Sequence, residues 1–173
     1  MNSNEVTILA SAIGVGGTIL GTILGWMLNS LSNIGKIYFS DIEIKKRYMG
    51  LKENMITGYI DDKSKATSYL LDVSLSAYNS SRDTASFKNI KLAFYHDNKL
   101  VKSIIPSDDN TLRKSGAILI ADKAGIYNIH PKTLVNLKFS CAFHVAITDI
   151  INADRINLTY QNIKGKNKKI KLV

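Results

Sequence analysis

The stretch Tyr69-Leu70-Leu71-Asp72-Val73-Ser74-Leu75-Ser76-Ala77-Tyr78 decides the fold. Tyr69, Leu71, Val73, Leu75 and Ala77 alternate with Leu70, Asp72, Ser74, Ser76 and Tyr78. A period of two marks a strand with one buried face, because successive side chains of a strand point to opposite sides. The same period recurs on both sides of it. Upstream, Ile37 and Phe39, then Ile42 and Ile44, mark a first strand or bent pair of strands. Downstream, Ile90, Leu92 and Phe94 turn through His96-Asp97-Asn98-Lys99 into the apolar run 100–105, a hairpin pattern. Ile118 and Ile120 mark another strand; Val135, Leu137, Phe139, Cys141 and Phe143 mark a long one. Ile156, Leu158 and Tyr160 form the penultimate strand, and Lys164-Gly165-Lys166-Asn167 turns into Ile170 and Leu172. Polar turn formers separate these runs at 79–83, 106–115, 122–125 and 130–132. Helical periodicity is nearly absent; the exception, 146–153, is read as one short helix or an irregular edge.

Short strands at this spacing indicate two antiparallel sheets packed face to face. The expected fold class is mainly β: a single N-terminal transmembrane helix followed by an immunoglobulin-like β-sandwich of about eight or nine strands. The polar loop before NIKLAFY (89–95) and the run PKTLVNLKFS (131–140) resemble segments of bacterial Ig-like modules, which implies a bacterial chain of that architecture. The Cys–Trp–Cys signature of antibody domains is absent, since Cys141 is the one cysteine and the one tryptophan, Trp26, precedes the domain. A lone cysteine also excludes an intrachain disulfide.

The N-terminal part is of another kind. Glu5 is the only charged residue before Lys36, and 8–28 is an uncharged run of 21 residues. As a helix it would extend about 31 Å, the hydrocarbon thickness of a bilayer. Trp26 lies near its end, where an indole favours the headgroup region. A cleaved signal peptide would want basic residues before the run and a small-x-small site after it; MNSNE and Leu28-Asn29-Ser30-Leu31-Ser32 supply neither. The chain is therefore expected to divide into a short tail (1–5), a transmembrane helix (6–31), a short linker (32–35) and the β-sandwich domain (36–173). Basic residues flank only the C-terminal side, with Lys36, Lys45, Lys46 and Arg47, so the positive-inside rule favours the cytoplasm for the domain of a single-pass cell-membrane protein, with an extracytoplasmic domain as the alternative.

One face of this helix is lined by small residues. Gly17, Gly21 and Gly25 form a tandem small-xxx-small series that Ala10 and Gly14 extend, a surface on which a second helix can approach closely. The partners expected are a second copy or another membrane protein. Thr18 and Thr22 flank the series as candidate hydrogen-bonding groups. Gly14-Val15-Gly16-Gly17 lacks the preceding strand of a dinucleotide fingerprint and the Gly-Lys-Ser/Thr of a phosphate loop, so it is not read as a nucleotide site.

No catalytic constellation emerges, and neither a metal nor a cofactor is expected. Cys141 and His144 are three apart on a strand, so their side chains diverge. Asp61-Asp62 and Asp108-Asp109 read as solvated loop carboxylates, without the further ligands of a calcium site. Ser115-Gly116 lacks the glycines of a nucleophile elbow. An enzyme is not expected, and no small-molecule substrate is evident.

Charge is the remaining signal. All 23 Lys and Arg and 13 of the 14 carboxylates lie in 36–173, giving that part +10 against +9 for the whole chain. Lys164, Lys166, Lys168, Lys169 and Lys171 crowd the terminal hairpin, with Arg155 on the strand before it. Strand phase turns Arg155, Lys169 and Lys171 outward and Ile170 and Leu172 inward. The primary reading is a membrane-anchored, non-catalytic binding or scaffolding module. The alternative is a membrane-tethered module whose lysine-rich hairpin binds anionic lipid headgroups or another anionic polymer. Nucleic acid is disfavoured, because only Tyr160 is near enough to stack on a base.

Overall fold

The alternating stretch forms an extended strand, Ser68–Asn79, in which Tyr69, Leu71, Val73, Leu75 and Ala77 are buried while Leu70, Asp72, Ser74 and Tyr78 are half-buried on the other face. The computed structural model describes the backbone of residues 3–32, 36–51, 57–145 and 147–173, and within the first helix the side chains of 14–29. In chain order the elements are α1 (Ser3–Ser32), β1 (Ile37–Leu51), β2 (Thr57–Ile60), a 3-10 turn (Lys63–Lys65), β3 (Ser68–Asn79), β4 (Ala85–His96) and β5 (Lys99–Ile104). There follow β6 (Ser107–Ser115), β7 (Ile118–Lys123), β8 (Tyr127–Ile129), β9 (Leu134–Phe143), α2 (Ile147–Ile151), β10 (Arg155–Asn162) and β11 (Asn167–Lys171).

The strands make two antiparallel sheets. One has the order β2-β1-β3-β9-β6-β7, the other β11-β10-β4-β5 with β8 beside β4. The apolar faces meet between them: Leu71, Val73 and Leu75 of β3 and Leu137 and Phe139 of β9 on one side, Leu92 and Phe94 of β4 and Ile156 and Leu158 of β10 on the other. α2 adds Ile147 and Ile150 to this core. Two aromatic clusters stand within it. Tyr48, Tyr69, Phe143 and Phe94 form a chain with centroids 5.3 to 5.9 Å apart. Phe39, Phe87 and Tyr160 form a triangle at 5.5 to 6.3 Å. The edge-to-face contacts of Phe94 with Phe143, and of Phe87 with Phe39 and Tyr160, add to simple burial, because ring edges are positive and faces negative.

Where the period of two slips, the backbone shows why. Asn89 sits at φ +54° in β4, so the buried set runs Phe87, Ile90, Leu92, Phe94. Asp41, at φ +50°, marks the bulge between Ser40 and Glu43, and of the two forms expected at 37–44, one strand or a bent pair, the chain takes one long bulged strand, β1. Asp97 and Asn98 both have positive φ, the condition for the two-residue turn between β4 and β5.

Two expectations are corrected here. The polar loop at 106–115 is strand β6: Ser107 and Asp108 pair with Ser140 and Phe139 of β9, and Asp109 Oδ1 accepts from Ser140 Oγ at 2.5 Å. Its side chains are polar because most of the strand lies beyond the core. With β2 and β8, also unmarked by apolar alternation, this raises the sandwich above the expected strand number.

The second correction concerns the anchor. Among the described residues, no helix is long and apolar enough to cross a membrane. Within α1, the stretch 14–25 is rich in glycine. Gly14, Gly16, Gly17, Gly21 and Gly25 lie in that stretch and contribute no apolar side chain. The transmembrane helix at 6–31, and with it the single-pass cell-membrane placement, is overturned. Residues 1–2 of the tail and 33–35 of the linker lie outside the described residues. The expected short helix is present as α2.

Because Phe139 is fully buried between the sheets, Phe139→Ala should lower unfolding stability by about 3–5 kcal/mol. Leu112→Ala, at a residue 52% exposed, should change it by less than about 0.5 kcal/mol. Urea denaturation followed by circular dichroism measures both.

Candidate functional site

The turn of the terminal hairpin is held by its own hydrogen bonds. Gly165, at φ +74°, donates its N–H to Asn162 O at 2.9 Å. Asn162 Oδ1 accepts from Lys166 N at 2.9 Å, and Gln161 Nε2 donates to Gly165 O at 3.0 Å. A Cβ is disfavoured at that φ, so the glycine is what lets the chain reverse with Lys164 and Lys166 exposed.

Register then sorts the lysines. Lys169 and Lys171 oppose Thr159 and Asn157, on the outer face of the sheet. Lys168 opposes Tyr160, two residues along from Leu158 opposite Ile170, and so belongs to the core-facing row at its open end. There it lines a cleft of about 440 Å³ with Lys36, Ile37, Tyr160, Asn162 and Lys164, among others. Three ammonium groups and no carboxylate line this space. The Phe39–Phe87–Tyr160 triangle holds Tyr160 at the cleft, and burial pushes its phenol above the ordinary range, so it stays neutral.

Lys36 reaches the cleft from the other sheet, and its place is fixed by the end of β3. Lys36 N donates to Ser80 Oγ at 3.0 Å, while Ser80 N and Oγ donate back to Lys36 O at 3.1 and 3.0 Å. Ser80 in turn follows Asn79, which is completely buried. The Asn79 amide donates to Asp83 O at 2.8 Å, Ile129 O at 2.9 Å and His130 O at 3.2 Å. Its Oδ1 accepts from Ser81 N at 3.0 Å and Ser81 Oγ at 2.6 Å. One side chain thus ties the end of β3 to the start of β4 and to the turn before β9. A buried polar group satisfied this fully specifies geometry as well as stability.

The expected basic cluster is therefore divided. Lys164 and Lys168 share the cleft, Lys166 stands on the turn, and Lys169 and Lys171 face outward. Arg155 lies at the far end of β10 and is committed elsewhere. Its guanidinium carbon sits 4.6 Å from the centre of the Tyr95 ring, and Nη1 donates to Asn98 Oδ1 at 3.1 Å. Lys36, which in the sequence bore only on orientation, joins the site; no motif links it to residues 160–168, and only sheet packing brings them together.

The helix face expected for packing is open where it is described. A Cβ placed on Gly14, Gly17, Gly21 or Gly25 would meet nothing within 4 Å; the side chain of Ala10 lies outside the described residues. Thr18 and Thr22 do not hold free hydroxyls across this face, because Oγ1 of each donates down its own helix, to Gly14 O and Thr18 O at 2.8 Å.

Groups with chemical potential are placed apart. Cys141 is buried, whereas His144 is exposed with Nδ1 2.9 Å from Ser68 Oγ. Burial, with the Asp72 charge adding to it, pushes the Cys141 thiol up to about 12. Asp62 caps the 3-10 turn by accepting from Ser64 N at 3.0 Å. Asp108 is not a solvated loop carboxylate: it is buried in β6, with Oδ1 accepting from Asn110 N at 3.0 Å. Among the described residues, His96, Asp97 and Asp154 are the group whose ligand atoms lie close enough to share a cation, within 4.8 Å, and all three are exposed.

A sequence model described as the YopI Ig-like domain matches residues 35–173. No curated protein matches the chain. Its fold is similar to that of a Bordetella pertussis protein described as ApaA, at 8% identity over 79% of this chain and 89% of that one, with a TM-score of 0.33. It is also similar to an uncharacterised β-sandwich protein of Clostridium difficile, at 12% identity, 80% and 85% coverage and a TM-score of 0.34. The Iho670 flagellar-like filament is similar at 9% identity, with 96% of each chain covered and a TM-score of 0.37.

Asn79→Ala should destabilise the domain by at least about 2 kcal/mol, because it strands buried carbonyls that the amide now satisfies. The Cys141 thiol should resist alkylation by iodoacetamide at pH 8 and react once urea unfolds the chain; mass spectrometry reads both states.

Proposed function

The chain belongs to the YopI Ig-like domain family, and on that premise we propose that it is a non-catalytic binding module that takes an anionic group of its partner in the cleft between the two sheets. One observation carries the reading: Lys36, before β1, meets Lys164 and Lys168 of the terminal hairpin at one cleft without a lining carboxylate. An anion entering there gains three ammonium donors over a partly apolar floor of Ile37 and Tyr160, where a charge-assisted hydrogen bond is less weakened by water than on open surface. The Ig-like sandwich supports a binding role over a catalytic one. Lys166, Lys169 and Lys171 add a long-range field that draws anions toward the hairpin, screened as salt rises.

A second reading concerns α1. Its glycine face is open at every described position, so the backbone of another helix can approach it closely.

In the full-length chain, Lys164→Gln with Lys168→Gln should weaken binding of pyrophosphate, and of phosphatidylserine-containing vesicles relative to phosphatidylcholine vesicles, by roughly tenfold. Lys99→Gln with Lys102→Gln, removing the same charge from β5, should change it less than twofold. Equal losses from both pairs would reduce the cleft to general surface charge, and isothermal titration and co-sedimentation make the comparison. For α1, Gly21→Ile should abolish chemical cross-linking between helices; an unchanged yield would exclude the glycine face.

A further inference from the structure

Apart from the three-residue β8, the four strands that end the two sheets are not protected alike. A strand at a sheet edge presents unpaired N–H and C=O groups, and proteins blunt such edges by keeping them short or placing lysines on them. β2 has only four residues. β5 carries Lys99 and Lys102, and β11 carries Lys168, Lys169 and Lys171. β7 has neither device over its first four residues, Ile118-Leu119-Ile120-Ala121. Its apolar side chains are exposed on both faces, Ile118 at 66%, Leu119 at 65% and Ile120 at 40%.

The hairpin that carries this edge is otherwise well built. Arg113, Lys114 and Ser115 of β6 pair with Ile120, Leu119 and Ile118, and Gly116 at φ +63° makes the turn. Arg113 forks onto Asp122 at 2.8 and 2.9 Å, which holds Asp122 below the usual carboxylate range and engages the one carboxylate of β7. β6 itself pairs with β9 only through Ser107 and Asp108, so at 118–120 the hairpin stands beyond the sheet with one side of β7 open.

We propose that this open edge of β7 pairs with β7 of a second copy of the chain, antiparallel about Leu119, joining the two β6–β7 hairpins into one continuous sheet. The occupant is identified by the sequence of the edge. Residues 117–121 read Ala-Ile-Leu-Ile-Ala, the same in both directions. A two-fold axis through Leu119 therefore sets Leu119 against Leu119 and Ile118 against Ile120, with equal sizes opposed and no charge in register. A two-fold interface must be self-complementary in this way. Asp122 of each copy falls toward the Gly116 turn of the other, so like charges do not meet. A foreign strand would need no such symmetry.

The pairing brings the two Leu119 positions within the distance a disulfide spans, since directly opposed residues of antiparallel strands lie about 4.5–5.5 Å apart. In a full-length chain carrying Gly21→Ile, so that α1 does not supply the association, Leu119→Cys should form a covalent dimer under mild oxidation. Lys102→Cys on the β5 edge should give no covalent dimer, and the native Cys141 is buried and takes no part. The same chain without a new cysteine should sediment as a dimer, and Leu119→Lys should convert it to a monomer with an unchanged far-ultraviolet spectrum. A monomer at every concentration, a Leu119→Lys variant that still sediments as a dimer, or a Leu119→Cys yield no greater than that of Lys102→Cys overturns the proposal.

Discussion

The buried stripe of β3 is the constraint from which the rest follows. Tyr69, Leu71, Val73, Leu75 and Ala77 are removed from water only if a second sheet lies across them. Burial of each large apolar side chain is worth about 1.5–3 kcal/mol, and a strand alone cannot supply it. The demand is met by β4 and β10, whose own apolar rows have the same need. A one-residue slip of β3 against β9 would turn the whole stripe to solvent, so the register from Tyr69–Phe143 to Tyr78–Leu134 is held by the core itself.

At the end of that strand the problem changes from apolar to polar. β3 must stop and the chain must cross to β4, and the crossing begins at the buried Asn79 and Ser81. Asn79 meets the need of three carbonyls and one N–H with a single side chain. The same junction orders Ser80, and Ser80 orders Lys36. A lysine of the candidate cleft is thus placed by a hydrogen-bond relay that begins in the core. This couples the cleft to folding: its geometry is inherited from the way β3 ends.

The surface divides into regions with different physical characters. The terminal hairpin and its cleft are cationic, with tyrosine and isoleucine beneath the charge. The start of β7 is apolar on both faces, and the one carboxylate of that strand is engaged. Lysines that protect β11 from unwanted pairing also supply the field around the cleft, so edge protection and anion attraction share residues. α1 differs from both, with open glycines and threonine hydroxyls turned back onto the helix.

Alternation of apolar residues at 69–77 and 135–143 determined by itself that these segments are strands and which of their faces is buried, because side-chain direction in a strand depends only on parity. It also separated Cys141 from His144 and assigned the chain to the β-sandwich class. Polar strands left no such mark: β6 is held by pairing with β9 and by Asp109 on Ser140, interactions that carry no periodic signal. Uncharged composition at 8–28 likewise implied a membrane span, and composition alone does not measure how much apolar length a helix presents. Tertiary structure alone decided that Lys36 meets Lys164 and Lys168, that Arg155 lies with Tyr95 and Asn98 instead, and that β7 is an edge. Each depends on which distant segments become neighbours, and the packing of two sheets sets that.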